Sequence, residues 1–115
     1  MKARIYHNPR CSKSRATLAL LEERGVETEV IEYLNDPPSA EEIRALLSML
    51  QIDAASLLRK GESAYRESGL GPEASENELI ELMVREPIVI ERPIVVAGSK
   101  ARIGRPPEGV LGLFS

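Results

Sequence analysis

The sequence predicts an α/β fold formed by a single domain over residues 1–115, with a helical insertion at about residues 39–86. Three observations support this fold class. The 115 residues are 43% hydrophobic, which suffices for one buried core without disulfides or bound metals. Short strand-like runs lie near both ends of the chain. Apolar residues at helical spacing fill the middle.

The N-terminal part predicts a strand, a helix and a second strand. Residues 3–7 alternate between apolar and polar side chains, and residues 12–24 follow as a helix. Gly25 stops this helix, because glycine adopts the left-handed conformation at little cost. Residues 29–33 predict the second strand, which should pair in parallel with the first through a right-handed crossover. The apolar stripe predicted for the helix comprises Leu18, Ala19 and Leu21.

The middle of the chain carries signals for helix starts. Ser39 is followed three residues later by Glu42, and Ser75 by Glu78, which is the spacing of a capping box. Asp53 predicts the cap of a shorter helix between them. The apolar residues that recur at helical spacing after the two capping boxes are Ile43, Leu46, Leu47, Leu50, Leu79, Ile80, Leu82 and Met83.

The C-terminal part returns to strand. Residues 93–97 are rich in β-branched side chains, residues 98–99 predict a turn, and residues 100–103 predict its hairpin partner. Residues 105–108 begin a final short helix, because proline suits the first helical turn. The resulting order, β-α-β, then helices, then β-β-α, is that of a thioredoxin-like fold with a mixed sheet. The side chains expected to dock the last helix are Val110, Leu111, Leu113 and Phe114.

Composition excludes several classes of function. One cysteine and one histidine provide neither an internal disulfide nor a Cys/His metal site. The net charge of -3, the pI of about 5.3 and the 3% aromatic content argue against a nucleic-acid partner. No apolar run is long enough for a membrane span, and the N-terminus lacks the pattern of a signal peptide. A cytoplasmic protein is expected, because a lone reactive thiol suits a reducing compartment.

Cys11 carries the clearest chemical signal, because it lies between the first strand and the first helix. Unpaired backbone N–H groups and the positive end of the helix dipole favour a thiolate there, as do Arg10, Lys13 and Arg15. The thiolate is the reactive form of cysteine, and the same N–H groups form a cradle for an anion. The alternative is a small buried hydrophobic residue, but the neighbouring side chains are polar or charged.

Two polar residues flank Cys11. His7 can polarise the thiol, although a histidine at a strand end is often just a satisfied polar residue, and Ser14 can donate a hydrogen bond to the sulfur. Ser14 also stands where a dithiol motif has its second cysteine, so any disulfide must form with another molecule, such as glutathione or a partner protein. The spacing from Cys11 to Arg15 is too short for the phosphate loop of cysteine-dependent phosphatases.

Three further arginines lie at the ends of predicted elements, where site residues gather. Arg59, Arg92 and Arg105 each carry a planar guanidinium that suits a tetrahedral oxyanion. Each one taken singly is better explained as a surface charge than as a ligand. The bond between Arg92 and Pro93 precedes a strand, and a cis bond there would hold the chain close to the Cys11 loop.

Five segments together resemble the single-cysteine, glutaredoxin-linked arsenate reductase family, in the family's order and through nearly the whole chain. The segments are residues 7–15 (HNPRCSKSR), 33–38 (YLNDPP), 57–60 (LLRK), 91–96 (ERPIVV) and 104–106 (GRP). The resemblance implies a thioredoxin-like fold with a helical insertion, Cys11 as the nucleophile, His7 and Ser14 as its tuning residues, and a cis bond before Pro93. The arginines that it implies as ligands of the oxyanion are Arg59, Arg92 and Arg105.

The resemblance further implies an oxidoreductase of arsenic detoxification. Cys11 would attack arsenate to form a covalent cysteine–arsenic intermediate, with glutathione as co-substrate, glutaredoxin as the final reductant and no bound cofactor or metal. Two alternatives remain open: a glutathione-dependent thiol oxidoreductase that acts on another substrate, and a non-catalytic module that binds a protein partner. The three arginines favour arsenate, because a site for glutathione alone needs no such set.

Overall fold

The computed structural model describes residues 1–114, which divide into two compact units. Residues 1–36 and the described residues from 92 onward form an α/β unit, and residues 37–91 form a helical unit. The order of elements is the predicted one. The helical unit extends beyond the expected insertion at both ends, and the single-domain organisation stays a prediction.

A four-stranded mixed sheet forms the centre of the α/β unit, in the order β2-β1-β3-β4. The strands are β1 (Lys2–Tyr6), β2 (Glu27–Ile31), β3 (Ile94–Ala97) and β4 (Lys100–Ile103). β1 and β2 are parallel, as predicted, and β3 is antiparallel to both β1 and β4. The β3–β4 hairpin turns at Gly98, whose φ of +62° is a conformation that glycine adopts without strain.

The second strand ends earlier than the sequence predicted. After Ile31 the chain turns, because the amides of Asn35 and Asp36 both donate to the carbonyl oxygen of Glu32. Tyr33 is buried outside the sheet. Tyr33 has the β propensity of a strand residue, so the sequence predicted the end of the strand too late.

Helix α1 (Ser12–Glu23) connects β1 to β2 and is followed by Gly25, whose φ is +72°. Within the predicted apolar stripe, Leu21 is fully buried and Leu18 packs against the core, but the prediction was wrong at Ala19, which is exposed. The first turns of α1 also bury polar side chains, and both Leu18 and Leu21 contribute apolar side chains to the core. The fully buried residues of α1 are Ser14, Thr17 and Leu21.

The core of the α/β unit lies between the sheet, α1 and the C-terminal segment. Residues Pro107–Phe114 form a 3₁₀-helix where the sequence predicted a short helix, and Val110 is its fully buried residue. The buried cluster comprises Ala3, Ile5, Leu21, Val26, Val95 and Val110, with Leu18, Leu113 and Phe114 packed against it.

The helical unit contains α2 (Ala40–Leu50), α3 (Ala54–Leu57), α4 (Ser63–Glu67), α5 (Glu76–Arg85) and the 3₁₀-helix Pro87–Val89. The predicted caps are present: Ser39 and Asp53 each accept a backbone N–H, and Ser75 and Glu78 form a complete capping box. Helix α4 was not predicted, because none of its side chains is buried and it therefore shows no apolar pattern.

Candidate active site

Cys11 is the N-cap residue of α1 and is half-buried, so its sulfur lies where the helix presents unpaired N–H groups. The preceding turn is fixed by Asn8, whose carbonyl oxygen accepts from the Cys11 amide at 3.0 Å. The side-chain oxygen of Asn8 accepts from the Arg10 amide, also at 3.0 Å. Sequence reasoning missed Asn8, which is 4% exposed, although Asn-Pro is a common signal for a turn of this kind.

The pKa of the Cys11 thiol is held below its ordinary value. Burial acts to raise this pKa, but hydrogen bonds from the Ser14 amide, the Arg92 side chain and the Lys13 amide, together with the charge of Arg105, outweigh it. All four stabilising groups place positive charge or an N–H dipole against the sulfur. The site therefore favours the thiolate, which is the nucleophilic form.

Arg105, like Arg92, brings its guanidinium to the Cys11 sulfur. Its Nη2 donates to Cys11 Sγ at 3.4 Å, and its Nε donates to the carbonyl oxygen of Arg92 at 2.8 Å. Arg92 is 8% exposed. The peptide bonds Arg92–Pro93 and Arg105–Pro106 are both cis. Sequence analysis singled out only the first of these two bonds.

Gly104 allows the end of β4 to approach α1 and Pro93. A Cβ atom added at Gly104 would lie 2.5 Å from Thr17 Oγ1 and 2.8 Å from Pro93 Cγ. The Gly104 amide also donates to the carbonyl oxygen of Pro93 at 2.9 Å. Any larger residue would force Thr17 or Pro93 to shift, so the glycine permits the close approach at the start of the segment that carries Arg105. Gly104 belongs to the segment 104–106 (GRP), but the sequence did not predict its packing role, because the residues that it approaches come from distant parts of the chain.

Ser14 and His7 form a buried polar pair behind the loop. Ser14 Oγ lies 2.7 Å from His7 Nδ1 and accepts from the Asn8 amide at 3.0 Å. The predicted contact of Ser14 with the sulfur comes from its amide, while its hydroxyl is engaged by this pair. Burial lowers the pKa of His7, Glu32 opposes that shift and Arg15 adds to it. The imidazole is therefore neutral near pH 7, and it holds the loop rather than supplying a charge.

Arg59 belongs to the helical unit, where two carboxylates engage it. Its Nη1 lies 2.6 Å from Glu91 Oε1, and its Nε lies 3.2 Å from Glu62 Oε2. Partial burial acts to lower the pKa of Arg59, but Glu91 and Glu62 outweigh it, so the pKa is raised and the guanidinium stays charged. The role of Arg59 as a ligand of an oxyanion stays a prediction.

The arrangement around Cys11 suits attack on an anion. One thiolate, two guanidiniums and the amides of a helix start lie together, so an oxyanion bound there would meet both a nucleophile and positive charge. Within residues 1–114, no group of three or more His, Cys, Asp or Glu side chains is placed to hold a metal ion. None of the helices in that range has the length and apolar character to cross a membrane.

Comparisons with known proteins place the chain among close relatives. It is 54% identical over 112 residues to "Uncharacterized protein YfgD" of Escherichia coli K12, covering 96% of this chain and 94% of that protein. It is 43% identical over 109 residues to an arsenate reductase of Neisseria meningitidis, covering 93% of each. A solved structure of an arsenate reductase from Vibrio cholerae matches with a TM-score of 0.96 at 46% identity, covering 99% of this chain and 98% of that one.

These relatives align along nearly the whole chain, including the segments that carry Cys11, Arg59, Arg92 and Arg105. The structural match confirms the thioredoxin-like fold class. A sequence profile of the ArsC family matches residues 6–113. The chain belongs to the ArsC family.

Proposed function

We propose that this protein is an arsenate reductase, an oxidoreductase that converts arsenate to arsenite through a covalent intermediate on Cys11. The observation that carries the proposal is the Cys11 sulfur at the start of α1, with the Arg105 guanidinium 3.4 Å away. A thiolate there can attack an oxyanion that the same guanidinium holds. Relatives from Neisseria meningitidis and Vibrio cholerae that bear the name arsenate reductase support the choice of oxyanion.

The proposed first step forms a sulfur–arsenic bond. The Cys11 thiolate attacks the As(V) centre, and an arsenate oxygen takes up a proton and leaves as hydroxide or water. Arg105 and Arg92 stabilise the negative charge that builds up on the remaining oxygens. His7 and Ser14 hold the loop so that the amides of the helix start stay directed at the sulfur.

The second half of the proposed reaction needs thiols from outside the chain. Reduction of As(V) to As(III) takes two electrons, and Cys11 is the only cysteine, so the chain cannot supply them by forming an internal disulfide. Glutathione attacks the cysteine-bound arsenic and forms a second sulfur–arsenic bond, while another arsenic-bound oxygen takes up a proton and leaves as hydroxide or water. A glutaredoxin thiolate then attacks the glutathionyl sulfur and forms a mixed disulfide with it. The sulfur–arsenic bond breaks, and its electron pair stays on arsenic, which becomes As(III). Water releases arsenite and returns the Cys11 thiolate. A cytoplasmic location would supply these thiols.

A coupled assay tests the proposal. Purified protein is mixed with arsenate, glutathione, glutaredoxin and glutathione reductase, and oxidation of NADPH is followed. We expect arsenate-dependent oxidation that Cys11→Ser abolishes. The matched control Ser12→Ala changes the next residue, which is exposed, and should leave the activity unchanged.

The outcomes of this assay separate the remaining alternatives. Loss of arsenate-dependent activity in Cys11→Ser, with activity retained in Ser12→Ala, supports the assignment as an arsenate reductase. Turnover of a glutathione mixed disulfide without any turnover of arsenate would replace it by a thiol oxidoreductase of another substrate. No turnover of either substrate by a folded protein would favour a module that binds a partner.

A further inference from the structure

We propose that a groove beside the Cys11 loop is the subsite for glutathione, an inference that rests on the proposed function. The groove encloses about 340 Å³ and is lined by residues of the α/β unit. This volume is at the lower end of the roughly 300–1,000 Å³ of small-molecule sites. The lining residues that matter for recognition are Asn8, Arg10, Glu32, Leu34 and Asn35.

The charges of the groove match a zwitterionic thiol. Glutathione carries two carboxylates and one ammonium, and the exposed side chains of Arg10 and Glu32 offer the groove one charge of each sign. Asn35 Nδ2 donates to Glu32 Oε1 at 3.4 Å, a long contact that leaves the carboxylate able to accept from an ammonium. Leu34 is 37% exposed and adds an apolar surface. Glu32 disfavours arsenate here, because like charges repel.

The loop that forms one wall of the groove also carries the reactive sulfur. Asn8 and Arg10 both line the groove, and the turn that they form ends at Cys11, whose amide donates to the Asn8 carbonyl oxygen at 3.0 Å. Glu32 lies in the turn after β2, where its carbonyl oxygen accepts two amides. Both walls are therefore held by backbone hydrogen bonds, and a ligand bound between them would bring its thiol to the Cys11 loop.

The test measures capture of glutathione without arsenate or glutaredoxin. Cys11 is first converted to a mixed disulfide with thionitrobenzoate. The glutathione thiolate then attacks the Cys11 sulfur, the original S–S bond breaks, and thionitrobenzoate leaves with the electron pair as a coloured thiolate. Stopped-flow absorbance gives the rate against the concentration of glutathione or of 2-mercaptoethanol, which carries no charged group.

We expect the rate to saturate with glutathione and to stay linear with 2-mercaptoethanol. Glu32→Lys should lower the second-order rate constant for glutathione about fivefold to tenfold, since it removes one ion pair and adds a repulsion. The same variant should leave the 2-mercaptoethanol rate unchanged, which separates binding from any change in the reactivity of Cys11. The matched control Glu29→Lys makes the same charge change at an exposed position of β2 outside this groove.

Equal effects of Glu32→Lys and Glu29→Lys on the glutathione rate would overturn the inference, as would equal effects of Glu32→Lys on the two thiols. The result is independent of arsenate. A protein that fails to reduce arsenate but selects glutathione through Glu32 would refute the proposed function and retain the subsite. A protein that reduces arsenate but shows no selection of glutathione through Glu32 would support the proposed function and refute the subsite.

Discussion

Replacing Arg105 by glutamine should raise the pKa of Cys11, because it removes a positive charge that stabilises the thiolate. The Arg105 Nη2 to Cys11 Sγ distance is 3.4 Å. Two unit charges at that separation attract by about 1.2 kcal/mol in water and by about 5 kcal/mol at an effective dielectric constant of about 20. Loss of an attraction between these limits disfavours the thiolate, so the pKa of Cys11 rises. The sulfur is half-buried and its partner exposed, which places the expected shift toward the lower limit.

The pH dependence of Cys11 alkylation by iodoacetamide measures this shift. The wild-type midpoint should lie below that of a free thiol, and the Arg105→Gln midpoint should lie above that of the wild type. Arg102→Gln removes an exposed arginine of β4 and serves as the matched control, with no shift expected. Identical midpoints for wild type and Arg105→Gln, with both proteins folded, would refute the account of an arginine-stabilised thiolate.

Three other perturbations test the packing, the buried histidine and a helix start. Gly104→Ala should cost about 1–3 kcal/mol of unfolding free energy by overpacking, measured by urea denaturation. Gly109→Ala should cost much less, because its added Cβ would lie 3.7 Å from the carbonyl oxygen of Ile103, an ordinary contact distance. Because the pKa of His7 is lowered, its contribution to stability should be complete above pH 6.5 and should decline as the pH falls through the lowered pKa. Thermal unfolding of wild type and His7→Gln across this range would show no pH-dependent difference if that reasoning is wrong. Ser75→Ala should cost about 1 kcal/mol by loss of the capping box, and an unchanged urea midpoint would contradict this.

Local chemistry explains what the sequence predicted well. A capping box, a β3–β4 turn or a thiol at a helix start depends on residues a few positions apart, so Ser75, Gly98 and Cys11 are visible in the sequence. Gly104 depends instead on Thr17 and Pro93, which come from other elements. Contacts of that kind form only after the chain has folded, and no local pattern reports them.

The three arginines show the same difference between what local sequence predicts and what contacts between distant residues decide. Sequence reasoning treated Arg59, Arg92 and Arg105 alike, because each lies at the end of an element. The structure gives them different partners: Arg105 contacts Cys11, while Arg59 pairs with Glu62 and Glu91. Glu62 lies three residues after Arg59, whereas Glu91 is distant in the sequence. The charge available to a ligand therefore depends on pairings that the positions alone do not predict.

The charge distribution also explains how an acidic chain can present a site for an anion. The net charge is -3, yet every charged or hydrogen-bonding group that acts on the pKa of Cys11 lowers it, and only burial opposes them. Arg59, in contrast, has its charge offset by two carboxylates. Local potential falls off within about 8–10 Å at physiological salt, so the groups nearest the sulfur outweigh the distant acids. We therefore expect added salt to lower the rate of Cys11 alkylation by an anionic reagent and to leave the rate with a neutral reagent unchanged.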